Sequence, residues 1–145
     1  MPWQLVDHTA DVGLLIEAPT REALLEEAAQ ALMALIVEDP ASVEERETLD
    51  FELAADGPAA GPAADPADLL FDWLQTLLVA VELRRVLLTR FQVRLEGRGL
   101  RASASGERID PARHRLAHEV KAITYHGLAV RATRDGWQAE VIVDI

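Results

Sequence analysis

The chain has 145 residues, half of them apolar, and its 25 acidic against 14 basic residues leave a formal charge of -11. That length fits one domain (residues 1–145) with one core, and the charge repels phosphate backbones, which argues against stable, unaided nucleic-acid binding. No stretch reaches the roughly 18 to 20 continuous apolar residues that cross a bilayer. Residues 1–11 carry no basic segment ahead of an apolar run and there is no cysteine, so a soluble, cytoplasmic chain without membrane span, secretory signal or disulfides is expected.

Residues 3–8 and 12–18 alternate or run apolar over strand length, and the Asp11/Gly13 region between them carries turn chemistry, predicting a hairpin-like opening. Thr20 after Pro19 caps a helix to about Val37, with Glu22 in its first turn. Leu24, Leu25, Ala28, Leu32, Leu35 and Ile36 form its apolar stripe, and Glu26 and Glu27 read as ordinary solvated residues. Residues 47–54 alternate Leu49, Phe51 and Leu53 inward as a strand. The stretch 56–65, with Gly57, Pro58, Gly61 and Pro62 among small residues, reads as a loop without chemistry.

Asp65, Pro66 and Asp68 announce a second, longer helix whose broad face is Leu70, Trp73, Leu74, Leu77, Leu78 and Val81, with Trp73 as a core anchor. Phe91, Val93 and Leu95 alternate with polar residues, and Gly97 to Gly99 marks a turn into another strand. Arg90, Arg94, Arg98 and Arg101 fall on one side of this pair or its rim. Such a stripe serves RNA, an acidic protein, or simple charge balance, and on so acidic a chain charge balance is the preferred reading. Residues 119–130 read as extended, Gly127 leaves room for an irregularity, and Asp135-Gly136 signals a hairpin into a last strand over 137–145. Strands and two covering helices, not strictly alternating, predict an α+β two-layer sandwich with a mostly antiparallel or mixed sheet.

Asp7, His8 and Asp11 put two carboxylates and an imidazole within five residues, and Asp144 beside the Ile145 carboxylate puts two anionic groups at the other end. If the last strand lies beside the first, Asp11, Asp144 and Ile145 converge into an all-oxygen cage suited to calcium or magnesium. The competing reading leaves Asp11 bonded only to nearby turn amides. Lys121 is the one lysine among the 14 basic residues. Its compact ammonium has properties arginine lacks, although a surface lysine of no consequence is the plain alternative. His114 and His118 are spaced for one helix face, but no third and fourth ligand completes a zinc site. Ser103 and Ser105 have no glycine elbow, and neither a P-loop nor a dinucleotide fingerprint is present.

Three blocks in order, DHTADVG at 7–13, HEVKAITYHGL at 118–128 and GWQAEVIVDI at 136–145, together with LLFDWLQTLL at 69–78, resemble the archease family over nearly the whole chain. The resemblance implies a non-catalytic accessory protein that promotes guanylylation and multiple turnover of an RtcB-type RNA ligase in tRNA splicing and repair. It implies a divalent-cation site on Asp11, Asp144 and Ile145, filled by calcium, with magnesium or manganese as alternatives. It also implies a ligase-activating role for Lys121, which would steady phosphate charge or the ligase's acids, or else only neutralise the aspartates. Asp7 and His8 are further candidates for contact with the partner. Two other functions stand beside this one: a chaperone or specificity factor for RNA-modifying enzymes such as methyltransferases, and, last, a metal-dependent hydrolase with His8 as its only nearby base.

Overall fold

The computed structural model describes residues 11–53, 65–97 and 99–145. In chain order these form β1 (Asp11–Ala18), α1 (Arg21–Ile36), a 3-10 turn (Pro40–Ser42), β2 (Glu47–Leu53), α2 (Pro66–Arg84), β3 (Val86–Glu96), β4 (Gly99–Arg108), β5 (Ala122–Ile123), β6 (Ala129–Thr133) and β7 (Gly136–Asp144). The α+β class is as expected. The strands, however, divide into two antiparallel sheets. One has the order β2-β4-β3. In the other, β7 is central: β1 lies along one side, and β5 and β6 share the opposite side, pairing with successive parts of β7.

Both helices begin where side chains replace missing backbone partners. Thr20 accepts from Ala23 N–H at 3.0 Å and Asp65 from Ala67 N–H at 2.9 Å, with Pro66 opening α2. α2 lays Leu70, Trp73, Leu74 and Leu77 into the core, each fully shielded from water. Trp73 packs edge-on against Phe51 and Phe91, with centroids 5.7 and 6.3 Å away, which fixes α2 over the inner face of the β2-β4-β3 sheet. Its indole N–H donates to Leu25 O at 2.9 Å, so the one polar atom of this anchor is satisfied and ties α2 to α1.

α1 packs against both β1 and β3 and so joins the two sheets. Its polar side meets a strand edge, which corrects the reading of Glu26 as an ordinary solvated residue. Glu22 accepts from Leu95 N–H at 3.1 Å, Glu26 accepts from Val93 N–H at 2.9 Å, and Gln30 donates to Thr89 O at 2.7 Å. Four residues of helix rise about 6 Å, close to the roughly 6.7 Å of two strand residues, so side chains at i, i+4 and i+8 stay near register with the edge of β3. The register shift in β3 between Leu88 and Arg90 accounts for the longer last step. Glu27 is exposed, as expected.

Three further expectations change. Asp11 and Gly13 do not turn the chain: both lie inside β1, paired with Asp144 and Ile142, because β7 supplies a full ladder there. Residues 3–8 lie outside the described residues. The predicted helix face of His114 and His118 is absent because the backbone there is spent elsewhere. Ala117 N–H donates to Ile36 O at 2.8 Å and His118 N–H to Leu35 O at 3.1 Å, closing the last carbonyls of α1 with an extended segment. Residues 119–130 contain only the two-residue β5 and the start of β6, separated by a turn with Gly127 at φ 64. The β6–β7 hairpin turns on Arg134 and Asp135, and Gly136 begins β7 where a Cβ would fall 2.3 Å from Ala18 O.

Arg90, Arg94 and Arg101 lie on the outer face of the β2-β4-β3 sheet, and among the described residues two of these three meet acids. Arg90 reaches Glu45 at 3.8 Å, and Arg101 reaches Glu96 at 3.1 Å and Glu52 at 3.7 Å. Arg98 lies outside the described residues.

Candidate functional site

The site is built by β7. Alternation along this strand buries Ala139, Val141 and Val143 and turns Glu140, Ile142 and Asp144 to the other face. The antiparallel register sets Asp11 of β1 directly opposite Asp144, and on the other side sets Ala122 of β5 opposite the same residue. Residues opposed in this way project to one face. Asp144 is therefore flanked by an acidic neighbour on one strand and by the Lys121–Gly127 segment on the other.

That segment is tied to β7 by its backbone. Lys121 N–H donates to Asp144 O at 2.8 Å and Thr124 N–H to Ile142 O at 3.0 Å, with the Thr124 hydroxyl donating to the same carbonyl at 3.0 Å. Thr124 Oγ1 also accepts from His126 N–H at 3.3 Å, and Tyr125 O accepts from Leu128 N–H at 3.2 Å, which turns the chain back into β6. Lys121, Tyr125 and His126 are all exposed.

The electrostatics follow from this crowding. A hydrogen bond with Asp11 comes first, then lost hydration and the like charge of Asp11; together they push the Asp144 carboxyl above its ordinary value. The charges of His126 and Lys121 act in the opposite direction. Asp144 beside Asp11 therefore keeps its proton more readily than an isolated carboxyl does. A cation set between them would remove the repulsion, and hard carboxylate oxygens suit calcium or magnesium. Among the described residues, no group of three or more His, Cys, Asp or Glu side chains is arranged to hold a metal ion. Among the described residues, Asp11 and Asp144 are the acids such a cation would meet, and the backbone oxygen of Ile145, next to Asp144, is a hard donor as well. The Ile145 side chain packs against the core, which anchors that end of the chain.

Of the residues singled out from sequence, Asp11, Asp144, Ile145 and Lys121 are thus brought together, whereas Asp7 and His8 lie outside the described residues. Two neighbours were not singled out: His126, whose charge bears on Asp144, and Tyr125, whose ring stacks on Phe71 of α2 at 4.0 Å. The signal was available in the density of Lys121, Tyr125 and His126 within one quoted block.

The other histidine of note belongs to a separate, buried cluster. His114 accepts Asp110 N–H on Nδ1 at 2.8 Å, which leaves the proton on Nε2, 3.3 Å from Glu107. Glu107 also pairs with Arg113 and accepts Glu44 N–H at 2.5 Å. Burial alone would raise the Glu107 carboxyl, but the Glu44 amide, the neighbouring His114 imidazole and the Arg113 charge outweigh it and hold the group below its ordinary value. This cluster fastens the segment before β2 to the one after β4.

Taken together, the described residues define a small α+β protein with an acidic pair and a single lysine at one end of its β7-centred sheet, and with no helix long and apolar enough to cross a membrane. Residues 3–145 match the model of the Archease protein family, and the chain belongs to that family. It is 40% identical to the protein archease of Methanopyrus kandleri over 149 residues, covering 100% of both chains. It is 34% identical to the protein archease of Pyrococcus abyssi over 148 residues, covering 99% of this chain and 98% of that one. The solution structure of Methanobacterium thermoautotrophicum protein 1598 superposes with a TM-score of 0.74 at 29% identity, covering 96% of this chain and 95% of that one.

Proposed function

We propose that this protein, acting as one archease domain, is a non-catalytic accessory factor that promotes guanylylation and multiple turnover of an RtcB-type RNA ligase in tRNA splicing and RNA repair. The observation that carries the reading is the register that sets Asp11 against Asp144 with Lys121 N–H bonded to the Asp144 carbonyl. Family membership directs attention to these positions, and the fold places them side by side. Asp11, Asp144 and the Ile145 carboxylate would hold a divalent cation, calcium first and magnesium or manganese as alternatives. When bound, that cation supplies positive charge at the surface facing the ligase's nucleotide. Lys121 adds a mobile ammonium at the same end, able to meet phosphate or the ligase's own carboxylates. The ligase does the chemistry, in the cytoplasm, and this chain makes no stable contact with RNA or membrane.

The test is single-turnover guanylylation of the cognate ligase with and without this protein, alongside Asp11→Ala and Asp144→Ala. Stimulation by the intact protein that is lost in folded variants supports the role and its dependence on the acidic pair. No stimulation by the intact protein overturns it and shifts the reading to a chaperone or specificity factor for RNA-modifying enzymes.

A further inference from the structure

Beside the acidic pair lies an aromatic surface that the proposed cation site does not use. Tyr125, in the turn between β5 and β6, stacks on Phe71 of α2 with ring centroids 4.0 Å apart and planes 15° from parallel. One face of its ring is thereby held against the protein, yet Tyr125 remains 61% exposed, so the opposite face is open to solvent. An aromatic ring held flat and rigid at a surface is a costly arrangement for an unvisited face and a recurrent one at protein interfaces, where it loses little entropy on contact.

Among the described residues, the charges that act on the ring are of one sign. Asp68 and Asp72 lie one helical turn apart on the same helix as Phe71. Among the described residues, neither has a cationic side chain within ion-pair distance. Both act on the ring: lost hydration first, then the charges of Asp72 and Asp68, push the Tyr125 phenol above its ordinary value. Lost hydration and the charge of Asp68 likewise raise the Asp72 carboxyl. An open π-face beside two carboxylates matches a planar guanidinium, which stacks on a ring while donating to carboxylates at its edge. A nucleobase would also stack, but its phosphates would meet Asp68, Asp72 and a chain of charge -11.

We infer that the Tyr125–Phe71 stack, with Asp68 and Asp72, is the docking surface for an arginine side chain presented by the protein partner. The inference rests on the proposed function in taking that partner to be the RtcB-type ligase. It assigns the arginine contact to the side of the site formed by α2 and the β5–β6 turn, adjacent to and separate from the acidic pair.

Equilibrium binding of the full chain to the ligase tests it, with Tyr125→Ala, Tyr125→Phe and the double variant Asp68→Asn/Asp72→Asn, each checked for an unchanged fold by circular dichroism. The arginine contact predicts binding about tenfold or more weaker for Tyr125→Ala and within about twofold of the parent for Tyr125→Phe. The double asparagine variant binds more weakly and with less dependence on salt. Parent-like binding by Tyr125→Ala, while the parent still binds and stimulates the ligase, overturns this inference and leaves the proposed function standing. A parent that neither binds nor stimulates the ligase overturns both. A labelled single-stranded oligouridylate that binds the parent but not Tyr125→Ala assigns the ring to a base and overturns the arginine contact.

Discussion

Asp11 and Asp144, near opposite ends of the sequence, face each other across the antiparallel ladder of β1 and β7. Their proximity raises the Asp144 carboxyl through the hydrogen bond and charge of Asp11, so without a cation the ionised form of Asp144 is disfavoured. A group whose folded value is raised opposes folding once pH exceeds its unfolded value. Removing its charge relieves that cost at neutral pH. Asp144→Asn is therefore expected to raise the melting temperature in a chelator, whereas calcium is expected to raise that of the parent alone. At a hundredfold excess over Kd the calcium effect is about 2.7 kcal/mol, worth several degrees in a chain of this size. Differential scanning fluorimetry with and without calcium checks both, and a calcium response retained by Asp144→Asn counts against the cation site.

Lys121 offers its backbone to Asp144 and leaves its ammonium exposed. If the ammonium acts on the ligase as a compact mobile charge, Lys121→Arg keeps the fold and the cation response but loses at least about tenfold in stimulated guanylylation. If it only offsets the aspartates, arginine does the same and activity is retained. Guanylylation rates measured beside melting temperatures separate these outcomes.

The Glu107 carboxyl is held below its ordinary value by the Glu44 amide, His114 and Arg113 against the opposing effect of burial. The sign follows directly: the unfolded chain takes up its proton at a higher pH than the folded one, so this contribution is complete above the unfolded value and is lost as pH falls through the folded one. Urea midpoints taken from neutral pH down to about pH 3 should therefore decline more steeply for the parent than for Glu107→Gln. The glutamine variant is expected to be less stable at neutral pH, and parallel profiles would show that the cluster contributes nothing to acid sensitivity.

Glu26 occupies the edge of β3 through Val93 N–H. Glu26→Ala removes the acceptor and leaves that amide without its partner, for an expected loss of about 1 to 3 kcal/mol. Hydrogen exchange localises the effect: the Val93 amide should lose protection while amides of β7 keep theirs. Equal protection in both proteins would mean that solvent replaces the carboxylate at no cost.

Local signals were legible where the chain uses them locally. The apolar stripe from Leu24 to Ile36, the Thr20 cap and the Asp65-Pro66 start of α2 each depend on atoms within a turn or two of one another, and each is found as read. The Asp-Pro-Ala triplet shows the same economy. It occurs at Asp39, Asp65 and Asp110, and each aspartate accepts the N–H of the alanine two residues on, at 3.1, 2.9 and 3.0 Å. Readings failed where a distant segment takes over. Asp11 looked like a turn residue until β7 paired with it, and His114 and His118 looked helical although α1 uses the amide of His118.

The sequence by itself determined the family, both helices, the caps and the candidate set of Asp11, Asp144, Ile145 and Lys121, because motifs, periodicity and capping chemistry are written in neighbouring residues. Only the tertiary structure decided that the strands split into two sheets, that α1 seals the edge of β3, and that Tyr125 stacks on Phe71 beside Asp68 and Asp72. Those arrangements depend on strand register and helix placement, set by burial of a core shared among segments far apart in the chain, which no local window of sequence contains.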